Sequence, residues 1–458
     1  MSAGCWPTAP VNWIDGLGTR ARSYRVLLAS LAAAAPLAAA RTHSRFFRRA
    51  WFLLSARRNA HLLSNLSEGS TPLVAKEELR TPTDPGVRRS PVGVGIIGAG
   101  SVLWAYLRVL DPLVARSYCV EGPVCARRRE VWPSLLARRP KMRLLVEPGE
   151  VVDSAVDIVL IITPPDSHLR LARLALEHGK HVVVEKPLAS TRAEAEPVVK
   201  LATERGLHLL MAPFVHLAPT FRALWGFVQE GAIGRVHSAR GLYGNAGSHA
   251  LWHHQDGVGP LAEKGIYNLK SLTALLGPAT EVLAAEATAV VPRVVGDVEV
   301  RYPDPDVSHI ILRHESGVLS SIVSSDAIQR YRRPGLELYG TEGTANLLGD
   351  DWDPRGFAIW RNQTGRWEEY EPLEGTWSWA DGLREAVMAL WEGRTPLAEP
   401  SQDLHILEII EAARRSAKER AAVPINSRFR PLDLRPEEPK ARMGRHRLHD
   451  HTRPEDEQ

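Results

Sequence analysis

Between Val92 and Phe214 the chain alternates short, unbroken apolar runs with longer segments whose apolar residues recur every three or four positions. "VGVGIIG", "AVDIVLII", "KHVVV" and "LHLLMAPF" lack polar alternation, which predicts strands buried on both faces. "SVLWAYLRVLDPLVARS", "SHLRLARLALEHG" and "AEAEPVVKLATERG" carry helical spacing, the second stopped by Gly179. Strand and helix in turn predict an α/β domain, a parallel doubly wound sheet with helices on both faces.

After about residue 213 the rhythm changes. A helix around "APTFRALWGFVQEGAIG" leads into strands joined by polar turns: "RVHSARGLYG", "EVLAAEATAV", "HIILRHESGVLSSIVSSD", "GLELYGTEGTANLLG" and "FAIWRNQTGRWEEYEP". Hairpin turns such as "ESGV" and "QTGR" make mostly antiparallel pairing the expectation. Two helices, "WADGLREAVMALWEG" and "SQDLHILEIIEAARRSAKER", close this domain. The boundaries read as a poorly ordered extension over 1–90, the parallel-sheet α/β domain over 91–212, and a second α/β domain over 213–425. Residues 426–458, dominated by Pro, Arg, His and acids, read as a disordered tail.

Charge sharpens this division. The 458 residues carry a net +4, but residues 1–90 hold 13 Lys and Arg against 5 Asp and Glu, so the rest is slightly acidic. The main body therefore has no basic excess to suit nucleic acid, and no nucleic-acid partner is expected. Three cysteines, Cys5, Cys119 and Cys125, make no disulfide framework and fit a reducing, cytoplasmic compartment. Arg25 to Ala40 resembles a secretory signal with its small-residue cleavage site, yet about two dozen residues precede its apolar run. A basic extension accounts for it equally. The run is too short for stable membrane insertion.

Candidate chemistry collects at the strand ends. Gly98-Ala99-Gly100-Ser101-Val102-Leu103 follows a strand and opens a helix, with two of the three dinucleotide-fingerprint glycines present. Gly98 permits the tight turn, and Gly100 lets a pyrophosphate approach the helix N-terminus. An acid is expected after the next strand to hold a ribose 2′-hydroxyl. Ala126 stands there, followed by Arg127, Arg128 and Arg129. Guanidiniums suit a 2′-phosphate, which tilts the NAD(P) expectation toward NADP. Glu185-Lys186-Pro187 falls at the carboxyl end of a central strand, the edge where open parallel sheets bind ligands.

"GIIGAG", "ITPPDSH" and "VVVEKPLA", in this order and spacing, resemble the glucose-fructose oxidoreductase/inositol dehydrogenase family (Gfo/Idh/MocA). "GAIGRV", "GPLAEKGIYNLKSLTALLG" and "YGTEGTANLLGDDW" continue the likeness, which covers roughly residues 91–430. The resemblance implies a Rossmann domain, then a domain with an open, mostly antiparallel sheet, bound NAD(P), and association into a homo-oligomer, a dimer or larger. It implies hydride transfer on a sugar, polyol or related carbinol, with Lys186 beside nicotinamide and substrate. Where many members carry Asp-x-Gly-x-His, this chain has Glu263-Lys264-Gly265-Ile266-Tyr267. That matches the tyrosine-containing branch and makes Tyr267 the proton-transferring group, with Glu263 beside it. A lysine ammonium near a phenol favours the phenolate, so Lys186 is expected to lower the pKa of Tyr267. Lys270 replaces a later family acid.

The same likeness puts Thr163, Pro164, His168 and Glu185 on the cofactor and His216 near the substrate, although His168 reads equally as a helix-start histidine held by backbone. His405 reads as a packed helix histidine, "GDDWDP" as an acidic turn, and Trp252 and Trp352 as packing or sugar-stacking residues. The adjacent His253 and His254 cannot face one way on regular structure, and no metal site is expected. Two other functions share the motifs: a nucleotide-sensing binding protein without turnover, and a glycoside-cleaving enzyme that recycles its NAD.

Overall fold

The structure is a computed structural model that describes residues 90–246, 259–300, 305–332, 334–371 and 377–435, and the backbone of 446–449. Arg25–Ala40, Trp252, His253 and His254 lie outside the described residues.

The first domain follows the alternation in the sequence. Its elements are β1 (Val92–Ile97), α1 (Leu103–Ala115), β2 (Cys119–Cys125), α2 (Trp132–Arg138), β3 (Leu144–Leu145), α3 (Pro148–Val152), β4 (Ile158–Ile161), α4 (His168–Glu177), β5 (His181–Val184), α5 (Arg192–Glu204) and β6 (Leu209–Met211). The six strands pair in parallel in the order β3-β2-β1-β4-β5-β6. The order reverses between β1 and β4, so the turns after these strands open onto one crevice. β1, β4 and β6 are buried along their whole length, as unbroken apolar runs require.

The second domain opens with α6 (Pro219–Gln229) and β7 (Val236–Gly244). A wide π-helical turn (Leu261–Gly265) then runs into α7 (Ile266–Leu276). There follow β8 (Ala279–Ala287), the small hairpin β9 (Arg293–Val295) and β10 (Val298–Val300), β11 (Val307–His314) and β12 (Leu319–Ser325). β13 (Leu336–Gly340), β14 (Gly343–Asp350), β15 (Asp353–Arg361), β16 (Arg366–Tyr370), α8 (Gly382–Glu392), α9 (Pro400–Glu419), β17 (Val423–Pro424) and β18 (His446–His449) complete the chain. Ten strands form one sheet, β17-β8-β11-β12-β7-β13-β14-β15-β16-β18. Every pair in it is antiparallel except β12 with β7. Residues of α6, α7 and α9 share one apolar core with inward residues of this sheet. Its other face carries exposed Leu283, Ile311 and Leu319.

Two boundaries differ from the sequence reading. α8, expected to close the second domain, lays Leu383, Ala386, Val387 and Trp391 into the core built by β1 and α1. Its apolar stripe suits either core, so spacing alone did not say which one it joins. Part of the segment expected to be a disordered tail packs against the second domain. Phe429, Leu432 and Leu434 are buried in the second core, and Arg222 donates from Nε and Nη2 to the carbonyls of Leu434 and Arg435. The charges around these three apolar residues lower the mean hydropathy of the segment without preventing it from packing. β18 then pairs with β16 at the sheet edge.

Lys270 also finds its reason here. It is fully buried, and its Nζ donates to Asp403 Oδ1 at 2.6 Å, joining α7 to α9. Burial pushes the Asp403 carboxyl up to about 6 while the ammonium pulls it down. Removing one partner leaves a buried charge uncompensated. Asp403→Ala is therefore expected to cost about 3–5 kcal/mol in urea unfolding, and a Lys270→Met/Asp403→Leu double variant far less. Equal losses in both would show that the pair itself stabilises the fold.

Candidate active site

The crevice floor begins at the turn after β1. Gly98 has φ +118°, and a Cβ there would lie 2.7 Å from the Ile162 carbonyl oxygen, so only glycine fits. A Cβ on Gly100 would meet nothing within 4 Å, so this backbone faces open space. Ser101 is exposed and Val102 half-buried. No side chain caps the N-terminus of α1, which leaves its first N–H groups available to an anion. Leu103, at the place of the third fingerprint glycine, is itself buried in the core. These features fit a pyrophosphate. Beyond β2, Ala126 is buried while Arg127 and Arg128 are exposed at the crevice edge of the sheet. Arg129 sits over the Trp132 ring at 5.5 Å.

The turns after β4 and β5 are tied together by His168. Its Nδ1 lies 2.8 Å from the Pro187 carbonyl and its Nε2 lies 2.7 Å from the Thr163 carbonyl, with the ring almost wholly buried. His168 thus ties the two turns together through backbone carbonyls. Thr163 accepts a hydrogen bond from Ser167 Oγ at 2.7 Å, and Pro164 is exposed. His216 is fully buried, and burial and the charges of Lys270 and Arg222 push it well below the usual histidine range.

The two domains meet at Lys186. Its Nζ donates to the Glu263 carboxylate at 2.6 Å and to the Glu263 carbonyl at 2.9 Å. Glu263 comes from the π-helical turn, which Lys264 anchors through a buried ion pair with Asp326. Arg293 donates to the Asp326 carbonyl at 3.0 Å and pairs with Asp306 at 3.2 Å, extending this network. Tyr267, in the first turn of α7, places its ring centroid 5.7 Å from Lys186 Nζ. The structure therefore brings Lys186, Glu263 and Tyr267 together.

It overturns the expected effect of the lysine. The Tyr267 phenol is pushed well above the ordinary tyrosine value, by burial first and then by the charges of Glu185, Glu263 and Asp351. Glu263 compensates the ammonium, so the carboxylates prevail. Tyr267 holds its proton in this arrangement.

Three residues near the site were not singled out from the sequence as its members. Tyr106 donates its hydroxyl to Glu185 Oε1 at 2.7 Å. Tyr243, at the end of β7, meets Tyr267 edge-on at 5.5 Å and Trp352 at 6.3 Å. Asp351, from the "GDDWDP" turn, accepts hydrogen bonds from Asn268 Nδ2 at 2.9 Å and Ser271 Oγ at 3.1 Å. Burial pushes its carboxyl up to about 7. An acid in a β-hairpin looks solvated in sequence, and only the fold shows α7 covering it. Among the described residues no group of three or more His, Cys, Asp and Glu is placed to hold a metal. No helix among them is long and apolar enough to cross a membrane.

Residues 92–212 match the oxidoreductase family with NAD-binding Rossmann fold (GFO_IDH_MocA), and residues 221–346 match the GFO/IDH/MocA C-terminal domain. The chain belongs to this family. Among similar curated proteins, dTDP-3,4-didehydro-2,6-dideoxy-alpha-D-glucose 3-reductase of Actinomadura kijaniata is 31% identical, over 43% of this chain and 59% of that protein. The chain thus spans about six-tenths of that relative. D-apiose dehydrogenase of Paraburkholderia graminis is 27% identical over 59% of this chain and 74% of its own. scyllo-Inositol 2-dehydrogenase (NADP(+)) of Bacillus subtilis is 24% identical over 72% and 95%. A solved levoglucosan dehydrogenase in complex with NADH and levoglucosan shares the fold, with TM-score 0.66 and 19% identity over 74% of this chain and 100% of that one.

The open space at Gly100 yields a test separable from folding. Gly100→Ala meets no protein atom, so its melting temperature is expected to match wild type, while the dissociation constant for NADH or NADPH rises about tenfold. Unchanged binding by fluorescence titration would place the pyrophosphate elsewhere.

Proposed function

We propose that this protein is an NAD(P)-dependent dehydrogenase or reductase that interconverts a carbinol and a carbonyl on a sugar, polyol or related ring. The observation that carries this reading is the convergence of Lys186, Glu263 and Tyr267 at the carboxyl edge of the parallel sheet. The names of the relatives, which act on sugars and inositols, support the substrate class. A bound nicotinamide supplies the hydride acceptor or donor. Lys186 presents an ammonium to the reacting oxygen and stabilises negative charge there as the C–H bond breaks or forms. Glu263 aims that ammonium. Tyr267 carries the proton: it gives the proton to the oxygen in reduction and receives it in oxidation. The raised phenol favours the acid role, so reduction is the direction for which Tyr267 stands ready at neutral pH.

The exposed Arg127 and Arg128, with Ala126 where the acid is expected, support NADP over NAD. Tyr243 and Trp352 offer aromatic faces on which a sugar ring can lie.

Turnover is read at the nicotinamide band with a panel of sugars, polyols and their keto forms. Wild type is expected to turn over at least one of them, with Lys186→Ala and Tyr267→Phe each slower by about 10²–10⁴ in kcat. Tighter binding of NADPH than of NADH is expected in the same protein. Clear nucleotide binding without turnover on any member would instead favour the nucleotide-sensing reading. Full activity of Lys186→Ala would remove the lysine from the chemistry.

A further inference from the structure

We propose that Tyr106 is a positioning residue of the reaction: its hydroxyl fixes the Glu185 carboxylate, and through it the turn that presents Lys186. The kinetic part of this inference rests on the hydride-transfer reading above; its chemical part does not.

Tyr106 lies on α1, the helix that opens at the glycine turn, and it is fully buried. Its neighbours on the buried side of that helix, Leu103, Leu107 and Leu110, are apolar. A phenylalanine would pack as well among them, so packing does not explain the hydroxyl. The ring meets Trp379 edge-on at 5.7 Å and 87°, which holds it from the side of the segment leading into α8. The hydroxyl donates to Glu185 Oε1 at 2.7 Å, while Glu185 Oε2 accepts the backbone N–H of Lys186 at 3.2 Å. One carboxylate thus reaches from the cofactor helix to the backbone of the reactive lysine. Burial, then Glu185 itself, pushes the Tyr106 phenol well above its ordinary value, so it remains a donor.

The contact has a consequence for Lys186. Glu185 is the residue immediately before it, and a carboxylate released from Tyr106 is free to turn toward the ammonium. It would then compete with Glu263, which now holds Nζ at 2.6 Å. Glu185 is also the largest charge acting on Tyr267, so its orientation bears on both groups that handle the reacting oxygen. Tyr106 keeps this carboxylate occupied and still.

Tyr106→Phe removes only the hydroxyl. Lys186 reactivity is read in the nucleotide-free protein by limited acetylation with acetic anhydride and mass spectrometry. A second carboxylate on the ammonium disfavours loss of its proton, so acetylation of Lys186 is expected to slow by about threefold or more. With a turned-over sugar, kcat is expected to fall about tenfold while KM changes little. A Glu185→Gln background is expected to abolish the effect of Tyr106→Phe on acetylation, because the competing charge is gone. Unchanged acetylation of Lys186 in folded Tyr106→Phe would overturn the proposal, even if kcat fell. Should wild type turn over no sugar, the hydride-transfer reading fails and acetylation still decides the role of Tyr106. If Tyr106→Phe does not fold, Glu185→Gln decides: faster acetylation of Lys186 than in wild type would show that Glu185 already sits on the ammonium and would overturn the proposal, whereas an unchanged rate agrees with it.

Discussion

The ion pair between Lys186 and Glu263 is the contact on which the site depends. One partner ends a strand of the parallel sheet and the other sits in the π-helical turn of the second domain, 2.6 Å apart. Both side chains are largely shielded from water, so their attraction is screened far less than that of a surface pair. Each partner is braced on its own side. His168 ties the lysine turn to the turn after β4, and Lys264 ties the glutamate turn to Asp326.

This arrangement sets the protonation of the site. Three carboxylates, Glu185, Glu263 and Asp351, act on one phenol, and the nearby ammonium is already compensated. A lysine beside a tyrosine lowers its pKa only when the lysine charge is not matched. Burial first, and then these carboxylates, keep the proton on Tyr267.

Much of the fold was legible in the sequence, because buried parallel strands are unbroken apolar runs and hairpins carry Gly317 and Gly365 at positive φ. The lysine turn was legible for the same reason: Val182, Val183 and Val184 are buried, and the chain must turn at the sheet edge. What escaped were contacts between distant elements. α8 has an apolar stripe whose partner no local pattern names. Tyr106 looks like one more aromatic residue in an apolar helix, and Asp351 like one more acid in a turn. The full burial of His216 near Lys270 likewise does not follow from residue type and chain order.

The central claim is that the charges around Tyr267 govern proton transfer to the reacting oxygen. The most direct measurement is the pH dependence of single-turnover nicotinamide reduction by a substrate alcohol, in wild type and in Glu263→Gln. Glu263 raises the phenol, so removing its charge must lower it. The account predicts that the rise of rate with pH moves to lower pH in Glu263→Gln. A profile unmoved by the substitution would contradict it.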